Sequence, residues 1–198
     1  MRELLVAANN AGKLAEFRRL LGDLPVEVVG PAQLGLELVV PEPHHTYAEN
    51  ARDKADVFCR ASGRLVLADD SGIEVAALDW GPGPRSARWG ARHRFTDNAG
   101  ILLEELEGVT DRRARMVCWL ALAWPTADGP AVELFSGTVE GSVATERRGS
   151  GGFGYDPIFQ LSSGMTTAEL EPTQKDRVSH RGLAVAAATP RIRELAAA

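Results

Sequence analysis

The stretch Met116–Trp124, MVCWLALAW, is the strongest indication of the fold in this chain. It is continuously apolar and holds no glycine or proline, which is typical of a central strand buried on both faces of a sheet. Downstream, Ala131–Thr145 alternates apolar and polar residues well enough for one or two long strands. Upstream, Leu65–Ala68 predicts a shorter buried strand that runs into Asp69–Gly72, a polar segment typical of a turn.

Helical and strand patterns alternate along the rest of the chain. Thr46 with Glu49 forms a capping box that predicts the start of a helix, and Gly63 predicts its end. The remaining predicted elements are strands at Glu3–Ala8 and Val26–Val29, helices at Lys13–Leu21 and Asn98–Leu106, and a mostly helical stretch at Thr167–Ala188 interrupted near Ser179. Interleaved strands and helices predict an α/β fold with mixed strand pairing.

Composition limits the class of protein. The chain has 198 residues, of which 44% are hydrophobic and 25% charged, with a net charge of −5. These values predict one globular domain over residues 1–198 and argue against disorder and non-specific nucleic-acid binding. No apolar run is long enough for a membrane span. The two cysteines lie far apart without metal-ligand spacing, so we expect a cytoplasmic protein without a disulfide scaffold.

The first candidate site is the turn ahead of the first helix. Asn9-Asn10-Ala11-Gly12 precedes Lys13, one of only three lysines in the chain, the others being Lys54 and Lys175. A helix N-terminus presents unpaired N–H groups and a partial positive charge, so this turn could cradle a phosphate. It is not a Walker A loop, because the first glycine is missing and Leu14 replaces the hydroxyl residue. An ordinary surface turn is the alternative.

The second candidate is the carboxylate pair Asp69-Asp70, followed by Ser71 and Gly72. Adjacent like charges are unfavourable unless a cation or solvent relieves them, and Mg²⁺ prefers such oxygen ligands. A carboxylate here could also accept a proton from an attacking water. Glu42 in the preceding loop is a possible further ligand. The alternative is a solvated turn in which an aspartate caps a helix.

Two further segments carry polar or flexible residues. Gly149–Pro157 contains GxGxxG formally, but Pro157 prevents the helix that a dinucleotide site requires. Its glycines instead let the backbone around Phe153 and Tyr155 approach a flat ring, or form a long hairpin with aromatic plugs. Lys175 with Ser179–Gly182 offers cations for a phosphate or a carbonyl-bearing base, although such a cluster is also common as surface sequence.

Taken together, these segments resemble one family over nearly the whole chain. Their order and spacing are similar to those of the inosine/xanthosine triphosphate pyrophosphatases, which remove non-canonical purine nucleotides. The segments that carry the resemblance are Asn10–Lys13 with Glu16, Tyr47–Ala51 with Lys54, Ala68–Gly72, Pro82-Gly83 with Ser86–Arg88, Gly151–Pro157, and Lys175 with Ser179–Gly182. Ala8 departs from the family's usual Thr or Ser, so one hydroxyl contact to phosphate is expected to be absent.

The resemblance implies an elongated mixed β-sheet flanked by helices, with two lobes and an active-site cleft between them. It implies a homodimer that uses Mg²⁺ to hydrolyse ITP, dITP or XTP to the monophosphate and pyrophosphate. The implied catalytic residues are Asp70, Asp69 and Lys13, and the implied metal ligands are Asp70 and Glu42. The implied substrate contacts are Ala8, Asn9, Asn10, Ala11, Gly12, Lys13, Ser71, Phe153, Gly154, Tyr155, Asp156, Lys175, His180 and Arg181.

Two other functions remain open from the sequence. A related pyrophosphatase could act on modified pyrimidine nucleotides, although His180-Arg181 together with Phe153–Asp156 favours the purine family. A nucleotide-binding sensor without turnover is the rival from another class. Lys13, Asp69 and Asp70 argue against it, because a sensor has no use for a metal ligand and a base.

Overall fold

The structure is a computed structural model that describes residues 2–92 and 97–197. The strands are β1 (Arg2–Val6), β2 (Val26–Val29), β3 (Leu65–Val75), β4 (Gly81–Pro82), β5 (Arg113–Thr126), β6 (Gly129–Val143) and β7 (Phe159–Gln160). The helices are α1 (Ala11–Leu20), α2 (Tyr47–Ser62), α3 (Asn98–Glu105), α4 (Pro172–Val178) and α5 (His180–Ala197). Short 3₁₀ turns cover Pro31–Leu34, Ala76–Leu78, Gly83–Arg92 and Thr167–Glu169.

The strands form a mixed sheet, which confirms the predicted α/β class. Their order is β2-β1-β3-β5-β6-β7, and β4 pairs with β3 off this path. β1 is parallel to both β2 and β3, whereas β4 and β7 pair antiparallel with β3 and β6. β5, which contains the Met116–Trp124 stretch, lies between β3 and β6 in the interior of the sheet. Its apolar side chains suit a strand that is covered on both faces. The elongation and the cleft stay predictions.

The chain divides into two compact units. The first unit comprises Met1–Asp70, Cys118–Gly137 and Arg181–Ala198, and the second comprises Ser71–Val117 and Thr138–His180. The boundaries at Asp70, Val117 and Gly137 fall inside β3, β5 and β6. The single domain predicted over residues 1–198 stays a prediction.

Strand alternation gives the first unit two apolar layers. Leu65 and Leu67 of β3 pack on one face against α1 and α5, whereas Val66 and Ala68 pack on the opposite face against α2. Successive side chains of a strand point to opposite faces, so residues of one strand serve both layers. Helices on both faces explain why Leu65–Ala68 of β3 and Met116–Trp124 of β5 are apolar without interruption.

The second unit has its own core. It is built from Ile73 and Val75 of β3, the apolar face of α3, Ala114 and Met116 of β5, and Tyr155, Ile158 and Phe159. Gly149–Pro157 has no regular helix or strand, and β7 rather than a helix follows it. This confirms that its GxGxxG pattern is not a dinucleotide fingerprint.

One predicted boundary is wrong. The sequence predicts that the strand ends at Ala68, but β3 continues to Val75. Asp69 and Asp70 are 2% and 5% exposed, which also excludes the solvated-turn interpretation. No helix among the described residues is both long enough and apolar enough to cross a membrane.

Candidate active site

β3 directs the two adjacent aspartates to opposite faces of the sheet. Asp69 follows Leu65 and Leu67 in the alternation and so faces α1 and α5, whereas Asp70 follows Val66 and Ala68 and faces α2. The two carboxylates therefore have different partners. The strand conformation relieves part of the repulsion that two neighbouring negative charges would otherwise experience.

Asp69 binds two cations. Its Oδ2 accepts hydrogen bonds from Lys13 Nζ at 2.8 Å and from Arg181 Nη2 at 3.4 Å. Burial raises the pKa of this carboxyl, but Lys13, Arg181 and Lys54 outweigh burial and hold the pKa well below its usual range. Asp69 is therefore ionised and fixes the position of both cations on this face.

Arg181 is held between two buried carboxylates. Its Nη1 donates to Glu16 Oε2 at 2.5 Å, and both side chains are almost fully buried. Burial lowers the pKa of the guanidinium, yet Asp69 and Glu16 raise it above its usual range. This arrangement excludes a surface location for Arg181, which was the alternative for the cluster at Ser179–Gly182.

The N-terminus of α1 forms the predicted polar turn. Asn10 is the N-cap and its Oδ1 accepts the backbone N–H of Lys13 at 3.1 Å. Asn9, Asn10 and Ala11 are exposed, whereas Ala8 is buried. An exposed helix N-terminus with Lys13 in its first turn can bind a compact anion such as phosphate.

Asp70 lies in a different environment on the other face. Asn50 Nδ2 donates to its Oδ2 at 2.9 Å. Burial raises the pKa of Asp70 to about 6, and the carboxylates of Glu42 and Asp69 contribute in the same direction. The hydrogen bond from Asn50 and the charge of Lys54 oppose this shift. A carboxyl with a raised pKa is a better proton acceptor than an ordinary aspartate.

Lys54 connects the loop before α2 to the middle of β3. Its Nζ donates to Glu42 Oε1 and, at 3.0 Å, to the backbone carbonyl of Asp69. Burial lowers the pKa of Lys54, but Asp69, Glu42 and Asp70 raise it above its usual value. Glu42 thus lies among the same charged groups as Asp70.

The donor chemistry of Asp70 and Glu42 fits a magnesium ion. In residues 2–92 and 97–197, no group of three or more His, Cys, Asp or Glu side chains could hold a metal by itself. Mg²⁺ uses one or two protein carboxylates and completes its shell with water and substrate phosphates. Asp70 and Glu42 offer two carboxylates, and Lys54 connects Glu42 to the backbone carbonyl of Asp69, the residue before Asp70.

In the second unit, Asp156 organises the glycine segment. Its Oδ2 accepts from the backbone N–H of Phe153 and from Lys175 Nζ, both at 2.7 Å, and its Oδ1 accepts from Thr167 Oγ1 at 2.8 Å. Lys175 Nζ also lies 5.2 Å from the centre of the Phe153 ring. Asp156 and Lys175 are buried, whereas Phe153 is partly exposed and able to contact a ligand ring.

The other predicted contacts of this unit differ in accessibility. Tyr155 packs in the core, where its hydroxyl donates to the carbonyl of Ser86 at 2.9 Å, so Phe153 is the better candidate for stacking on a base. His180 is buried at the start of α5, and Gly154 is exposed with φ +62°. Ser71 is half-buried in β3. Their contacts with substrate stay predictions.

Three site residues lie in the segments that carry the resemblance but received no role from the sequence, namely Glu16, Asn50 and Lys54. Asn50 and Lys54 are four residues apart, which places them on one face of α2. The available signal was polar side chains next to the helix's apolar stripe of Ala51, Ala55 and Phe58. Such a signal does not identify their partners, which come from other parts of the chain.

Comparison with known proteins supports one family. The family model described as "Ham1 family" matches residues 4–191. A dITP/XTP pyrophosphatase of Chromobacterium violaceum is 44% identical over 196 residues, covering 98% of each chain. Another of Nitrosomonas europaea is 45% identical over 188 residues, covering 94% of this chain and 92% of the relative.

A solved structure agrees over the same length. The HAM1 protein from Coxiella burnetii superposes with a TM-score of 0.84 at 37% identity, covering 98% of this chain and 100% of that one. The similarity therefore extends over both compact units.

Proposed function

The chain belongs to the Ham1 family, and on that premise we propose that it hydrolyses non-canonical purine nucleoside triphosphates. The substrates are ITP, dITP and XTP, the products are the nucleoside monophosphate and pyrophosphate, and the reaction depends on Mg²⁺. The relatives of Chromobacterium violaceum and Nitrosomonas europaea are dITP/XTP pyrophosphatases. The enzyme class is accordingly a hydrolase acting on acid anhydrides, and the alternative of a sensor without turnover is set aside.

The observation that carries the proposal is the separation of Asp69 and Asp70 by strand alternation. Asp69 orients Lys13, a cation beside an exposed helix N-terminus, and this group suits the phosphate chain. Asp70 lies near Glu42, and this pair suits a divalent cation and a water. One short segment of β3 thus serves both requirements of phosphoanhydride hydrolysis.

Each residue has a defined part in the proposed reaction. Lys13 and the N–H groups at the start of α1 bind and neutralise phosphate oxygens. Asp70 orients the attacking water and accepts its proton, and Glu42 with Asp70 would hold the cation. Bound Mg²⁺ would supply charge stabilisation at the phosphate being attacked. Phe153 would stack on the base, with Lys175, His180 and Arg181 contributing donors.

A nucleotide panel tests the reaction class. ITP, dITP, XTP, ATP, GTP and the pyrimidine triphosphates would be incubated with the protein and MgCl₂, and pyrophosphate and orthophosphate measured separately. We expect pyrophosphate and monophosphate as the only initial products, and no turnover in EDTA. Orthophosphate as the first product, or a preference for a pyrimidine, would contradict the proposal.

The position of the bond that breaks needs a second experiment. Hydrolysis of ITP in ¹⁸O-labelled water should place the label in IMP, because water attacks the α-phosphorus. Label found only in pyrophosphate would mean attack at the β-phosphorus.

The assembly and location belong to the same proposal. A homodimer is expected from the resemblance, and light scattering on the purified protein would give twice the mass of the 21.2 kDa chain. A cytoplasmic location is expected from the cysteine usage and would be tested by cell fractionation.

A further inference from the structure

Asn50 is a buried amide at a position that local structure does not favour. It lies in the first turns of α2 and is 0% exposed. Asparagine is a poor helix former, and an amide removed from water is unfavourable unless its donors and acceptor are bonded. The contacts of the side chain should therefore explain why it is there.

Those contacts connect two separate parts of the first unit. Nδ2 donates to Asp70 Oδ2 at 2.9 Å, while Oδ1 accepts the backbone N–H of His44 at 3.0 Å. Nδ2 also approaches the backbone carbonyl of His44 at 3.4 Å. One amide thus contacts the carboxylate of Asp70 in the strand and the backbone N–H and C=O of His44, which lies in the loop two positions after Glu42.

The bonding pattern also fixes which way the amide points. The backbone N–H of His44 can only donate, so it requires the amide oxygen as its acceptor. The NH₂ group must then face Asp70, where a carboxylate oxygen accepts its hydrogen bond. A rotation of the amide by half a turn would break both contacts, so Asn50 restrains the orientation of the Asp70 carboxylate.

Lys54 repeats the same link one turn further along α2. Its Nζ bonds the side chain of Glu42 in the loop and the carbonyl of Asp69 in the strand. Residues four apart share a helix face, so Asn50 and Lys54 together connect the loop to β3. Asn50 differs from Lys54 because it bonds the carboxylate of Asp70 directly.

We propose that Asn50 is a positioning residue, which holds the Asp70 carboxylate and the backbone beside Glu42 in one fixed arrangement. This inference rests on the proposed function, because it assumes that Asp70 and Glu42 bind the cation and that Asp70 orients water. Small changes in the position of a ligand oxygen weaken metal binding and turnover. Groups that orient metal ligands are typically worth 10-fold to 100-fold in affinity or activity.

The test compares two Asn50 variants with the wild-type chain. Asn50→Ala removes every contact of the amide. Asn50→Asp keeps the volume and the acceptor for His44 N–H but replaces the donor to Asp70 with an acceptor, so it is informative even where the alanine variant does not fold. We expect kcat for ITP to fall about 10-fold to 100-fold in both, with KM changed less than about threefold.

A binding measurement makes the test independent of turnover. Mn²⁺ alone, titrated into the full chain and followed by electron paramagnetic resonance, should bind Asn50→Ala about tenfold more weakly than the wild type. His44→Ala is the matched control, since it removes the half-exposed imidazole that contacts Asp53 but keeps the backbone groups bonded to Asn50. That variant should retain the wild-type kcat and Mn²⁺ affinity within about twofold.

The outcomes separate the two proposals. Wild-type kcat in either Asn50 variant, or wild-type Mn²⁺ affinity in Asn50→Ala, overturns the role of Asn50. Loss of activity with lower thermal stability but an unchanged Mn²⁺ affinity per folded molecule indicates a structural role and also overturns it. A wild-type chain that releases no pyrophosphate overturns the proposed function instead, and the Mn²⁺ titration then decides about Asn50.

Discussion

At the scale of single residues, Asp70 is the side chain whose replacement tests the proposed chemistry most directly. Asp70→Asn keeps the shape and can still bond Asn50, but it removes the proton acceptor. We expect kcat to fall by roughly 10²–10⁴ with the fold intact, the usual effect of losing a general base. Steady-state kinetics with ITP, together with circular dichroism, would measure both effects.

Asp53→Asn provides the control for that substitution. Asp53 is also an aspartate of the first unit, but its side chain is 50% exposed and pairs with His44. Its replacement should leave kcat within about twofold of the wild type. A kcat for Asp70→Asn above about a tenth of the wild-type value would remove Asp70 from the role of base.

Arg181 permits a prediction about stability. Arg181→Ala would leave Glu16 and Asp69 without their shared cation in a buried place, and breaking a buried pair in this way costs about 3–5 kcal/mol. We expect a correspondingly lower urea midpoint. Arg60→Ala removes a pair with Asp56 in which the arginine is 61% exposed, so it should leave the urea midpoint close to that of the wild type. Equal losses in the two variants would contradict this account.

At the scale of elements, the glycine segment depends on the space beside Asp156. Gly152 has φ +69°, and a Cβ there would lie 2.1 Å from Asp156 Oδ2. Gly152→Ala must therefore displace the carboxylate that holds Phe153 and Lys175. We expect KM for ITP to rise on the order of tenfold or more, measured by initial rates, because the proposed base contacts move together.

Gly164→Ala separates this effect from backbone strain. Gly164 also has a positive φ, +85°, but the nearest atom to its Cβ would be 3.8 Å away. The left-handed backbone should cost each variant about 1 kcal/mol of stability, and Gly152→Ala should lose more because it also displaces the buried Asp156. Only Gly152→Ala should change KM, and a similar KM in both would mean that Asp156 does not hold the base-binding segment.

The elements also show which features a sequence can predict. The existence of the buried strands, the N-cap at Thr46 and the break at Ser179 depend on local patterns, and the structure contains each of them. The end of β3 was misplaced because Asp, Ser and Gly are disfavoured in strands. Lys13 and Arg181 on one face and Asn50 on the other stabilise the strand there, and these partners lie far away in the sequence.

In the candidate site, too, features that depend on local sequence could be predicted, whereas features that depend on distant partners could not. Asn9–Lys13, Asp69-Asp70 and the glycine segment could be selected because their residue types and spacing are unusual locally. The separate surroundings of Asp69 and Asp70 could not be predicted, since the predicted strand ended at Ala68, before both of them. Once they belong to a strand, the alternation of side chains assigns one to the cations of α1 and α5 and the other to α2.

At the scale of the whole molecule, the unit boundaries explain why no linker was visible. They fall inside β3, β5 and β6 rather than in segments rich in proline, glycine or polar residues. A domain boundary is normally recognised by such a linker. A chain that changes unit within its most apolar strands therefore has the composition of a single domain.

Base selection is a property of the complete enzyme. Inosine and xanthosine carry an acceptor at position 6, whereas adenosine carries a donor there, and a site of donors leaves the adenine amino group unpaired. We expect kcat/KM for ITP, dITP and XTP to exceed that for ATP by at least about 10²-fold, or about 2.7 kcal/mol. GTP should also react slowly, because its 2-amino group is a donor where xanthine has an acceptor. Turnover of ATP within about tenfold of ITP would contradict this selectivity.

The distribution of lysines has a practical result for anyone who labels or immobilises this protein. The chain has three lysines, and each forms an ion pair inside a candidate site, with 22%, 14% and 6% of the side chain of Lys13, Lys54 and Lys175 exposed. Amine-reactive dyes and activated-ester resins thus find no ordinary surface lysine and react at the N-terminal amine or within the site. We therefore expect coupling through amines to lower the activity of the molecules that it modifies at a lysine.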